Sequence, residues 1–162
     1  MVSVLAIAGV ATAIAVLFNR AFPTDYVWFM RLRRPAWLTF EAAIPFIWIA
    51  IFICGIISAS IIWQNLEAPA HPWPWMAGYV TVELAILAYM PVMCNLRSLR
   101  AGCMLGATGW LFGAMLTVAV WPRSLAAGLL LLPYLLWSPI GTYVTWQMIA
   151  LNPSERRSGW RD

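Results

Sequence analysis

The sequence predicts an all-α integral membrane protein, a bundle of five transmembrane helices with its N-terminus outside and its C-terminus in the cytoplasm. Three observations carry this. Of 162 residues, 63% are apolar and only 10% charged, against about 25% charged in an ordinary soluble domain. Five stretches are apolar for the roughly 20 residues that a helix needs to cross a hydrocarbon core. The ten basic residues, all arginine, sort by side once five spans are drawn.

The spans run over about residues 2–19, 42–63, 75–96, 101–121 and 125–151. Backbone polar groups in lipid must pair within the segment, so helices are expected. None of the five runs shows the alternation of a membrane β-strand. The first span lacks a positively charged leader and is too long for a signal-peptide core, so it reads as a retained helix. At this length one domain, 1–162, is the prior. The connections are short except the first, residues 20–41, a length that points to a functional loop or one with structure of its own. It holds Asp25, Tyr26, Trp28, Phe29 and Trp37. Trp28 reads as an interfacial anchor. Trp37 divides evenly between anchoring and covering the mouth of the bundle.

With five spans, loop 1, loop 3 and the C-terminus share a side. That side carries Arg20, Arg31, Arg33, Arg34, Arg97, Arg100, Arg156, Arg157 and Arg161, and the other side only Arg123. The positive-inside rule assigns the richer side to the cytoplasm. The net charge of +4 then reflects topology and contact with anionic lipid. No dense basic stripe remains, so no nucleic-acid partner is expected. The proline-rich outer loop is flanked by Trp63, Trp73, Trp75 and Trp121, which read as an aromatic belt.

Signals for catalysis or metal binding are weak. The single histidine, His71, lies between loop residues, and Cys54, Cys94 and Cys103 show no paired spacing. No metal and no catalytic set is expected. Glu83 is the exception, an ionisable group inside a span and therefore a candidate polar residue of a cavity, with a bond to a neighbouring helix as the plainer alternative. In the fourth span Gly102, Gly106, Gly109 and Gly113 line one face. Small residues at this spacing bring backbones close, either within the bundle or across a homodimer.

Two aromatic stripes stand out. Pro45, Trp48, Phe52 and Gly55 share a face of the second span, and Tyr134, Trp137, Gly141 and Val144 a face of the fifth. Such stripes are compatible with a flat apolar ligand, although by periodicity alone helix packing is the commoner use.

Three blocks carry a resemblance to a known family. They are RPAW with IPFIW downstream (Arg34 to Trp48), YMPVMCNLRS (Tyr89 to Ser98), and PYLLW, GTYVTW and LN (Pro133 to Asn152). The sequence resembles the TspO/MBR family, the tryptophan-rich sensory proteins that include the mitochondrial translocator protein. The pattern departs from the family in four places. Leu38, Thr39 and Phe40 replace Asn-Pro-Pro after Trp37. An apolar residue near Ile86 and Thr145 replace asparagines, and Tyr89 replaces a tryptophan.

The resemblance implies a five-helix bundle with a cavity under loop 1, in a bacterial cytoplasmic or thylakoid membrane before a mitochondrial outer one. It implies binding of hydrophobic aromatic ligands, tetrapyrroles (porphyrin or haem) first, with sterols or carotenoids as further classes, and no required cofactor. Trp37, Pro45, Trp48, Phe52, Tyr134, Trp137, Gly141 and Val144 are the expected ligand-binding residues. A role as an interaction or assembly subunit, and light-dependent porphyrin breakdown, stay open as alternatives.

Overall fold

The computed structural model describes residues 2–65 and 71–153. The elements are α1 (Val2–Ala21), α2 (Tyr26–Met30), a one-turn 3-10 helix (Glu41–Ala43), α3 (Ile44–Asn65), α4 (Trp73–Asn95), α5 (Leu99–Val120) and α6 (Leu125–Leu151). Five of these helices are long and apolar enough to cross a membrane, and no strand occurs among the described residues. In space α1 lies against α3 and α4, α3 against α6, α6 against α5, and α5 against α4, which closes a ring. The α4–α5–α6 side is the most tightly packed. By contrast, no described side chain of α1 is fully buried.

The turns that make this ring are short, and local chemistry sets them. After α4 the amide of Ser98 donates to the Met93 carbonyl at 2.9 Å, and that of Arg97 to Cys94 at 3.1 Å. Arg97 takes a left-handed φ of 47° to close this turn. Glycine is usual at such a position because a side chain costs about 1 kcal/mol there. The Arg97 guanidinium is 3.2 Å from Asp25 of loop 1, a contact that offsets part of the strain. Ser98 and Ser124 then cap α5 and α6, accepting from the amides of Ala101 and Ala127.

The glycines of α5 explain the tight side. All four are buried. A Cβ at Gly102 would meet Met93, at Gly106 Thr142 and Tyr89, at Gly109 the Tyr134 hydroxyl and Ala85, and at Gly113 the Tyr134 ring. Small residues here let α4 and α6 approach α5 closely. Of the two uses left open by the sequence, the stripe serves packing within the chain. A second copy has no access to it.

Proline breaks the ladder of α6 and a neighbour repairs it. Pro139 has no amide to offer the Leu135 carbonyl one turn back. That carbonyl instead accepts the indole N–H of Trp110 on α5, at 3.0 Å. In lipid, a freed carbonyl needs such a partner.

Trp28 departs from expectation. It is 8% exposed and packs with Leu32, Met93, Cys94, Leu99 and Met148. The short helix α2 folds back over the ends of α4 and α6 and turns the indole inward, so Trp28 is core and not an interfacial anchor. At the opposite end, Arg123 sits over the Trp75 ring, 5.5 Å from its centroid. Trp73 and Trp121 are largely exposed there. Arg20, Arg31, Arg33, Arg34, Arg97 and Arg100 lie at the loop-1 end, whereas Arg156, Arg157 and Arg161 fall outside the described residues.

Candidate ligand cavity beneath loop 1

A cavity of about 670 Å³ lies between α3, α4, α5 and α6 under loop 1. This volume is within the ~300–1,000 Å³ usual for small-molecule sites. α3 contributes Pro45, Trp48 and Phe52, and α6 contributes Tyr134, Trp137, Gly141 and Val144. Seven of the eight residues expected from the sequence thus face one space. The aromatic side chains of Trp48, Phe52, Tyr134 and Trp137 give it large flat apolar walls, with the Trp48 and Tyr134 centroids 6.5 Å apart. A Cβ at Gly141 would meet nothing within 4 Å, so this glycine widens the cavity instead of closing a helix contact.

Trp37 lies elsewhere. Its indole N–H donates to Gln147 Oε1 at 2.6 Å, and its ring is 6.1 Å from that of Tyr143. Gln147 in turn donates to the Tyr143 hydroxyl. This places Trp37 on the flank of α6, 41% exposed, outside the cavity wall. Phe40, the next aromatic of the loop, reaches the Trp137 ring at 6.3 Å.

The wall also contains residues that periodicity does not single out: Leu38, Tyr89, Ser138, Thr145 and Met148. Tyr89 and Thr145 are two of the positions that depart from the family pattern, and they meet. Thr145 uses its single hydroxyl proton on the Gly141 carbonyl at 3.2 Å. The Tyr89 hydroxyl, hydrogen-bonded to Thr145 Oγ1, is therefore the donor of that bond. The cavity thus has a polar point deep in an apolar wall, already satisfied from within.

Besides Trp37, two asparagine side chains fasten loop 1 over the cavity. The Asn152 side chain accepts from the Arg33 amide at 2.9 Å and donates to the Arg33 carbonyl at 3.0 Å. Asn95 accepts from the Asp25 amide at 3.1 Å and donates to the Pro23 carbonyl at 2.9 Å. In the sequence both enter only as members of family-like blocks, Asn95 in YMPVMCNLRS and Asn152 in the terminal Leu-Asn. At the rim Arg34 pairs with Glu41 at 3.3 Å and lies over the Phe29 ring at 5.2 Å.

Residues 2–151 match the TspO/MBR family, nearly the whole chain. The chain belongs to the TspO/MBR family. Among its relatives are the tryptophan-rich protein TspO of Bacillus cereus, 29% identical over 81% of this chain and 84% of the relative. An uncharacterized membrane protein of Bacillus subtilis, YtaB, is 28% identical over 84% of this chain and 89% of the relative. Protein CrtK of Rhodobacter capsulatus is 23% identical over 80% and 81%. The TspO/MBR family resemblance read from three sequence blocks therefore holds for the chain as a whole, and with it an integral membrane protein with bacterial relatives.

Glu83 does not reach this cavity. It lines a second one, on the far side of a partition formed by Phe52, Ile86 and Tyr134, which contribute to both.

Proposed function

We propose that this TspO/MBR family member is a membrane binding protein for flat hydrophobic aromatic ligands, tetrapyrroles first among them, in the cavity beneath loop 1. The observation that carries this is the convergence of Trp48, Tyr134 and Trp137 with the open position Gly141 on one space of about 670 Å³. Indole and phenol faces favour a planar π-system, and at the rim the Arg34 guanidinium, with donors beyond the one that meets Glu41, can reach a ligand's carboxylate. Loop 1 acts as the lid, with the arginine-rich end in the cytoplasm of a bacterial cell. Binding requires no cofactor.

The competing assembly-subunit reading draws on the replaced asparagines and on the glycine stripe of α5; the stripe packs against Met93, Thr142 and Tyr134 of this chain, which leaves that reading the replaced asparagines. Homodimerisation remains part of the proposal only through other faces.

The test is a porphyrin titration in the dark, read by quenching of intrinsic tryptophan fluorescence in lipid nanodiscs. One-site saturation is expected in the wild type, with loss of at least tenfold in affinity in Trp137→Ala, the scale of a large aromatic anchor. A linear response, identical in the two proteins, is partitioning into lipid and defeats the reading.

A further inference from the structure

The second cavity, about 1000 Å³, lies between α1, α3 and α4 at the end away from loop 1. It runs from Ser3, Trp63 and Trp73 at the far end of the bundle down to Phe52, Ile86 and Tyr134 at mid-depth. The Tyr134 hydroxyl is engaged with Ser138, and apart from it three side chains bring oxygen to an otherwise apolar wall, those of Ser3, Tyr79 and Glu83. Two of these are satisfied. The Tyr79 hydroxyl meets Ser58 Oγ at 2.7 Å, and Ser3 Oγ accepts from Gln64 at 2.9 Å. The third is Glu83, whose Oε1 is buried and accepts no hydrogen bond. Among the described residues, no arginine or histidine lines the space. A buried carboxylate oxygen without a donor costs free energy, and Glu83 stands at an apolar chamber large enough for a guest that supplies one once the carboxyl turns toward it.

We infer that this chamber is a second ligand site, for a lipophilic amine: an apolar body between α1, α3 and α4, and one ammonium or amine head donating to Glu83. The choice of an amine over a neutral donor follows from the lack of any basic side chain among the described lining residues: an ammonium brings Glu83 both a donor and the countercharge that the wall does not supply. A charge-assisted hydrogen bond is about twice as strong as a neutral one. The loose seating of α1, with no fully buried side chain, gives such a guest a route in from the bilayer. The site is separate from the cavity under loop 1 and does not rest on the porphyrin reading.

The test uses the full chain in nanodiscs of zwitterionic lipid. Two probes share one apolar body, a bromoalkylamine and the bromoalkanol of the same chain length. The bromine quenches Trp63 and Trp73, which sit together at the rim with centroids 5.4 Å apart. Saturable quenching by the amine is expected, with only linear quenching by the alcohol. Glu83→Gln should raise the half-saturating amine concentration by roughly tenfold or more, the scale of one charge-assisted bond. Gly55→Leu should abolish saturation by occupying the chamber, since a Cβ at Gly55 meets nothing within 4 Å. Trp137→Ala, in the other cavity, should leave amine quenching unchanged whatever it does to porphyrin. The proposal is overturned if amine and alcohol behave alike in the wild type, or if saturation survives either Glu83→Gln at unchanged concentration or Gly55→Leu.

Discussion

Asn152, the residue that ends α6, holds Arg33 of loop 1 by both of its backbone polar groups, at 2.9 and 3.0 Å, across 119 residues of chain. The same side chain also donates to the Met148 carbonyl at 2.8 Å. One amide therefore fastens the lid of the cavity to the helix that supplies Tyr134 and Trp137 to its wall. Asn152→Ala removes both loop bonds, a loss of about 1–2 kcal/mol at typical values. The expected outcome is faster amide hydrogen exchange in residues 31–38, with the amides of α5 unaffected. Unchanged exchange in the loop would show that the clamp does not hold the lid.

Tyr89 and Thr145 should be energetically coupled. Tyr89→Phe and Thr145→Val each leave a buried hydroxyl partner behind, and the double variant leaves none on this contact. A double-mutant cycle on thermal unfolding is expected to return a coupling of about 0.5–1.5 kcal/mol. Strict additivity would mean that the hydrogen bond contributes nothing to the packing of α4 on α6.

Two glycines test the difference between a seam and a cavity. At Gly113 an added methyl group collides with the Tyr134 ring. Gly113→Ala is expected to cost about 1–3 kcal/mol by overpacking, seen as a fall in Tm. At Gly141 the same group enters open space. Gly141→Ala should leave Tm unchanged, and a bulkier Gly141→Leu should weaken porphyrin binding without unfolding the bundle.

Trp110 carries a prediction that depends on a proline. Trp110→Phe leaves the Leu135 carbonyl without its donor, at an expected cost of about 1 kcal/mol or more. In a Pro139→Ala background residue 139 regains an amide for that carbonyl. The same Trp110→Phe change should then cost less, measured by unfolding in detergent. An equal cost in the two backgrounds would show that the indole acts by packing alone.

Much of the architecture is local and so legible in the chain. Whether a segment crosses a bilayer depends on its own length and hydrophobicity. Shape-critical residues such as Gly141 also stand out in a motif. The facing of the helices is another matter. These spans are apolar nearly all round, so periodicity says which residues share a stripe but not what that stripe meets. Trp28 illustrates the gap: an aromatic in a loop has the composition of an interfacial anchor, yet the turn of α2 puts it in the core. Trp37 is the converse, a tryptophan of a family motif that sits on the flank of α6, held by Gln147.

The sequence by itself determined that this is a five-span helical membrane protein of the TspO/MBR type, with aromatic stripes on two helices. Only the tertiary structure decided that all of those stripe residues except Gly55 face one cavity, with Gly55 on the other, and that the α5 glycines pack inside the chain. It alone joined Tyr89 to Thr145 and put Glu83 in a separate chamber. The physical reason is that each of these depends on which helices become neighbours in the ring. That arrangement is set by close approach at the glycines and by loop clamps between residues far apart in the chain, and no single segment contains it.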